Sequence, residues 1–137
     1  MYYIGLMSGT SMDAVDAALV EFDKKATLKF YNEYPLEISV KNQIRQINEK
    51  SNLIDVAMLD NKLGYIFADA ANDLIKKADI NSNQVVAIGS HGQTILHVPT
   101  IAEKTSIQIS DPNIICAQTG ITTVADFRRM DMAFDGQ

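Results

Sequence analysis

The chain has 137 residues, of which 47% are hydrophobic, 21% charged and 7% aromatic, a composition that excludes disorder, a collagen-like repeat and a disulfide scaffold. A chain of this length supports one core, burying roughly two thirds of its unfolded surface. Twelve Lys+Arg against seventeen Asp+Glu give a net charge of -5, which argues against general nucleic-acid binding and requires any anion site to be built locally.

Tyr2 to Met7 reads as a strand apolar on both faces, as in the middle of a sheet, and it ends at the turn Ser8-Gly9-Thr10-Ser11. Its lack of a basic leader and its short apolar run argue against a signal core or membrane span and for a cytoplasmic protein. Met12 to Phe22 fits a helix by propensity and a central strand by its two apolar faces. Asp23-Lys24-Lys25 is a turn, and Leu28 to Tyr34 a third strand stopped by Pro35. Ser39 can cap a helix with Val40, Ile44 and Ile47 on one face. A longer helix from Asp55 to Ala78 carries Val56, Leu59, Leu63, Ile66, Ala70 and Leu74 at three- and four-residue spacing, with Gly64 its weak point. Asn81-Ser82-Asn83 turns the chain into a short buried strand, Val85 to Ile88, that runs into the polar segment Gly89-Ser90-His91-Gly92-Gln93-Thr94. Thr105 to Ser110 alternates as a half-exposed strand does, Ile107 and Ile109 on one face, Ser106 and Gln108 on the other. Asp111 caps and Pro112 opens a helix that Gly120 ends, and Thr122 to Ala125 is a last strand leading to Asp126-Phe127-Arg128-Arg129-Met130-Asp131. The single cysteine, Cys116, reads as a small core residue in a reducing compartment.

Three polar clusters thus follow three strands, and in open α/β sheets ligands bind where strand ends diverge. Ser8 to Ser11 offers backbone N–H groups and three hydroxyls, suited to phosphate oxygens but also to a plain turn, and it lacks the ending of a Walker loop. Asp13 and Asp16 can help position hydrated Mg²⁺ or stand as charges at a strand entry, and Asp16, deeper in an apolar segment, needs a partner. No zinc-type spacing surrounds His91 or His97, so hydrogen bonding suits His91 and packing suits His97. Arg128 and Arg129 read as surface charges, as partners of Asp126 and Asp131, or as holders of an anion or a sugar carboxylate.

Ile4-Gly5-Leu6-Met7-Ser8-Gly9-Thr10-Ser11-Met12-Asp13, Ile88-Gly89-Ser90-His91-Gly92-Gln93-Thr94 and Val124-Ala125-Asp126-Phe127-Arg128-Arg129-Met130-Asp131, in that order, resemble the bacterial anhydro-N-acetylmuramic acid kinases. The resemblance runs from residue 2 to the end of the chain, with residues 24–83 matched only by their order of elements. That family belongs to the sugar kinase and actin superfamily, whose two lobes each have a ribonuclease-H-like βββαβαβα core. The resemblance therefore implies an α/β, ribonuclease-H-like (actin-like ATPase) lobe, a mixed sheet with opening antiparallel strands flanked by helices. It turns residues 12–22 into a strand. It makes residues 1–137 the N-terminal lobe of a two-lobe kinase, with the second lobe absent from this chain.

The resemblance further implies ATP-dependent phosphorylation of 1,6-anhydro-N-acetylmuramic acid at its 6-oxygen, with hydrolytic ring opening to N-acetylmuramate 6-phosphate in cell-wall recycling. Gly9, Thr10, Ser11, Met12, Asp13, Ala14, Val15 and Asp16 match the family's ATP-binding loop, with Mg²⁺ as the implied metal. His91, Gln93 and Thr94 match its substrate-side motif, and Asp126 with Arg128 the strand-end pair near the sugar. The general-base Asp belongs to a later Asp-Cys-Gly-Pro-Gly-Asn-type motif, so no catalytic residue is expected in this chain and the isolated lobe is expected to be inactive. The sequence departs from the family at Ala14, where Gly is usual, and at Asp135, where the family pattern begins Gly-Gly-Gln-Gly-Ala-Pro. Apolar surface left by a missing lobe favours self-association, for instance as a homodimer. The competing reading is a non-catalytic nucleotide- or sugar-binding domain of the same superfold.

Overall fold

The computed structural model describes residues 1–48, 50–98 and 104–136. Six strands form one mixed sheet. β1 (Tyr2–Ser8) pairs antiparallel with β2 (Ala14–Phe22), and β2 with β3 (Ala26–Pro35). On the other edge of β1 lies β4 (Val85–Val98), parallel to it. β4 has two neighbours in succession: β6 (Thr123–Ala125), parallel, beside its first half, and β5 (Thr105–Ile109), antiparallel, beside its second. Three strands in antiparallel succession followed by two more parallel to the first is the topology of the ribonuclease-H-like lobe that the resemblance implied.

Residues 14–22 form a strand because their burial has a period of two. Val15, Ala17 and Leu19 are buried, and they stand in register with Leu6 and Ile4 of β1 on one face. α2 (Leu53–Lys77) covers that face with Leu59, Leu63, Phe67, Ala70, Ala71 and Leu74. Each large apolar side chain so enclosed contributes about 1.5–3 kcal/mol relative to exposure. α3 (Pro112–Thr119) crosses α2 at Gly64, where an added Cβ would lie 3.0 Å from the Asp111 carbonyl oxygen and 3.1 Å from Ile114 Cβ. Gly64 is therefore not simply a weak point in the helix: it lets α3 approach. The ends of α3 are as expected, with the Asp111 carboxylate accepting from Asn113 N at 2.8 Å and Gly120 left-handed at φ 69°.

α1 (Ile38–Gln46) buries Val40 and Ile44 as expected, but Glu37, not Ser39, occupies its cap position. The preceding Leu36 is buried and its N–H donates to Asp13 O at 3.0 Å, so the chain turns into the helix before Ser39 is reached. The polar segment expected after Ile88 is not a loop. It is the middle of the 14-residue β4, held between β1 on one side and β6 and β5 on the other. On β5 the expected faces hold only in part: Ile109 is buried, but so is Ser106, and Ile107 is exposed. Cys116 is exposed, its neighbour Ile115 taking the core position, and His97 is exposed with Nδ1 3.2 Å from the Ser106 hydroxyl.

β1 was expected to be apolar and buried on both faces, yet only one is covered. Gly5 and Met7 face outward beside Val124, and Tyr3 packs edge-to-face on Phe22 at 5.4 Å. α4 (Phe127–Ala133) touches this open face through Phe127, whose ring would lie 3.3 Å from a Cβ on Gly89. Among the described residues no helix is long and apolar enough to cross a membrane.

Candidate functional site

The parallel strands β1 and β6 end on either side of the middle of β4. The register pairs Leu6 with Ser90, then Met7 with Gly92, leaving His91 as an extra residue in β4. This is a β-bulge, made feasible by Gly92 at φ +73°. Ser90 pairs with Ala125 on the other side, so Asp126 arrives level with the bulge. Ser8 pairs with Gln93, so the β1–β2 hairpin starts where the bulge ends. The three clusters singled out along the sequence adjoin one another.

The hairpin closes with Met12 N–H donating to Gly9 O at 3.1 Å, Met12 itself being left-handed at φ 56°. Thr10 and Ser11 are exposed, and nothing lies within 4 Å of where a Gly9 Cβ would be. Hydroxyls and amides of this kind are the donors that an anion requires. The third expected hydroxyl is not available to it: Ser8 is 2% exposed and donates to Gln93 Oε1 at 2.7 Å. Gln93 is equally buried, and its Nε2 donates to Thr94 O at 3.1 Å. Of residues 9–16, Val15 lies in the core and Ala14 pairs with Pro35, so residues 9–13 and Asp16 carry the exposed polar chemistry.

The far leg of the hairpin is tethered to α1. Lys41 Nζ lies 3.0 Å from Asp13 Oδ1, and its hydrogen bond and charge hold the Asp13 carboxyl below the ordinary value, with Ser11 adding a hydrogen bond. Asp16 stands on the open face and accepts from the Tyr31 hydroxyl at 2.5 Å, while Glu33 Oε1, cross-strand from Asp16, lies 3.1 Å from the same hydroxyl. Hydrogen bonding to Asp16, desolvation and Glu33 push the Tyr31 pKa up. Among the described residues no three His, Cys, Asp or Glu side chains gather as a metal cage. Asp13, paired with Lys41 of α1, and Asp16, held by Tyr31 on the open face, have separate partners.

On the other side, His91 is half-buried with Nδ1 3.2 Å from Gly92 O, and Thr94 Oγ1 accepts from Gln108 Nε2 at 3.1 Å. Asp126 is left-handed at φ 66° and receives Arg129 Nε at 2.7 Å, with a second Arg129 nitrogen on its other oxygen. That ion pair pushes the Arg129 pKa up. The partner of Asp126 is thus Arg129, while Arg128 is half-buried and engaged elsewhere. Lys41, Tyr31 and Gln108 escaped the sequence reading because their partners lie 28, 15 and 14 residues away, and only tertiary pairing brings them in.

A family model described as anhydro-N-acetylmuramic acid kinase matches residues 1–137. The anhydro-N-acetylmuramic acid kinase of Vibrio vulnificus (strain YJ016) is 46% identical over 138 residues, covering 98% of this chain and 37% of the relative. That of Shewanella loihica is 45% identical over 139 residues, covering 99% and 38%, and that of Sulfurovum sp. 47% identical over 137, covering 98% and 38%. The chain spans less than two fifths of the length of the curated relatives it matches.

Proposed function

The chain belongs to the anhydro-N-acetylmuramic acid kinase family, and from that premise we propose that it is the N-terminal lobe of a two-lobe enzyme that phosphorylates 1,6-anhydro-N-acetylmuramic acid. In the intact protein the γ-phosphoryl group of ATP passes to the 6-oxygen while water adds at the anomeric carbon and the 1,6 ring opens. The products are ADP and N-acetylmuramate 6-phosphate. The observation that carries this reading is the register that sets the hairpin after β1, the bulge in mid-β4 and Asp126 after β6 side by side.

In this arrangement the amides of Gly9 to Ser11 and the Thr10 and Ser11 hydroxyls receive phosphate oxygens, Asp13 and Asp16 assist a hydrated Mg²⁺, and Met12, Ala14 and Val15 hold the loop's shape. Mg²⁺, when bound, neutralises phosphate charge. His91, Thr94, Asp126 and Arg128 face the sugar, with Gln93 supporting them from the helix-covered face. The group that activates the attacking water belongs to the second lobe, so the 137-residue chain turns over no substrate by itself. Dependence on ATP puts the reaction in the cytoplasm.

Calorimetric titration of the chain with ATP and Mg²⁺, and separately with the anhydro sugar, tests the two sides. Thr10→Val with Ser11→Ala should weaken the nucleotide and Arg128→Ala the sugar. Unchanged binding by both variants would sink the reading.

A further inference from the structure

We propose that Gln93 is a positioning residue that joins the nucleotide side of the site to the sugar side, and not a sugar ligand. This rests on the assignment of the two sides above. Ser8 and Gln93 are each 2% exposed, and the Ser8 hydroxyl donates to Gln93 Oε1 at 2.7 Å on the helix-covered face. A buried amide oxygen so engaged is closed to a ligand arriving at the strand ends, and leaving either partner unpaired there is costly. Ser8 immediately precedes Gly9 of the hairpin, and Gln93 immediately follows the bulge at His91 and Gly92. The other end of the amide, Nε2, donates to the carbonyl of Thr94, so one side chain fixes both the base of the hairpin and the strand that presents His91 and Thr94. A shift of the hairpin therefore reaches the sugar side through this amide.

The test crosses the two sides in the 137-residue chain. Gln93→Met should weaken ATP with Mg²⁺, and Ser8→Ala should weaken the anhydro sugar, each by about tenfold, the loss equivalent to one buried hydrogen bond. The double variant should be more thermally stable than Gln93→Met, because the Ser8 hydroxyl is no longer left unpaired, yet not recover affinity; recovery of both together would mean that the pair serves stability alone and would overturn the proposal. Should Ser8→Ala affect only nucleotide and Gln93→Met only sugar, Gln93 is a ligand, the proposal fails and the assignment of the sides survives. Should the wild-type chain bind neither compound, that assignment fails for the chain, and amide shifts decide the proposal without ligand. Gln93→Met should then move the resonances of Thr10 and Ser11, and Ser8→Ala that of His91; changes confined to residues 8 and 93 would overturn it.

Discussion

A Cβ on Gly92 would stand 2.6 Å from the carbonyl oxygen of Ile109, so β4 and β5 meet at this point with no room for a side chain. The same residue lies at φ +73° and forms part of the bulge that sets His91 out of register with β1. Contact distance and backbone angle independently require glycine here, and the residue thereby shapes both the β4–β5 pairing and the sugar side of the proposed site.

Gly92→Ala should accordingly lose about 2 kcal/mol or more, from the left-handed penalty together with a clash against backbone that cannot swing aside. Urea unfolding measures this directly. A variant with an unchanged midpoint would mean that the bulge relaxes without cost, contrary to the geometry. Gly9→Ala is the matched control, since open space surrounds that position.

Ser110 presents the opposite case. It follows β5 at φ 131°, a region that suits glycine, and its buried hydroxyl finds no hydrogen-bond partner among the described residues. Its amide is needed, since it donates to Asp60 Oδ1 at 2.7 Å, and glycine would keep that bond. Ser110→Gly should stabilise the chain by about 1 kcal/mol, the relief of backbone strain exceeding the extra freedom glycine has when unfolded. A lower melting temperature in this variant would contradict the assignment of strain.

What could be read from the sequence divides along the range of the forces involved. The ends of α3 were legible because Asp111, Pro112 and Gly120 act within one turn of the chain. The hairpin of β1 and β2 was placed through motif resemblance, and the alternating burial of Val15, Ala17 and Leu19 shows why the strand prevails over helical propensity. β4 was read too short because Gly89, Ser90, His91, Gly92 and Gln93 have weak strand preference, and pairing on both edges overrides it. The clustering of polar segments at strand ends was legible as a pattern. That Ser8 turns inward to Gln93 was not, because side-chain pairing across the sheet leaves no period in the sequence, whereas the pairing of Arg129 with Asp126, three residues apart, was among the readings the sequence offered.

The tether between Lys41 and Asp13 should depend on pH. The folded pKa of Asp13 lies below the ordinary 3.8, so the pair contributes from 3.8 through neutrality and fades as pH falls through the lowered folded value. The stability difference between wild type and Lys41→Met should be constant near neutrality and close in strong acid. Because both groups reach solvent, added salt should also shrink it. A difference that persists in strong acid would assign the effect of Lys41 to its side-chain packing and not to the ion pair.

Tyr31 should ionise later than an ordinary tyrosine. Its hydroxyl proton is held by Asp16, which raises the pKa above the ordinary 10.0; the contribution to stability is fully present below that pH and is lost as pH rises through the raised value. Tyrosinate absorbance should show one late component, absent in Tyr31→Phe and brought earlier in Asp16→Asn. If Asp16 assists a hydrated Mg²⁺ when ATP is bound, the cation competes with the Tyr31 proton for that carboxylate, and ATP with Mg²⁺ should move the late component to lower pH. An identical titration with and without nucleotide and metal would remove Asp16 from the metal side and leave Asp13 as the only carboxylate of the hairpin loop available to it.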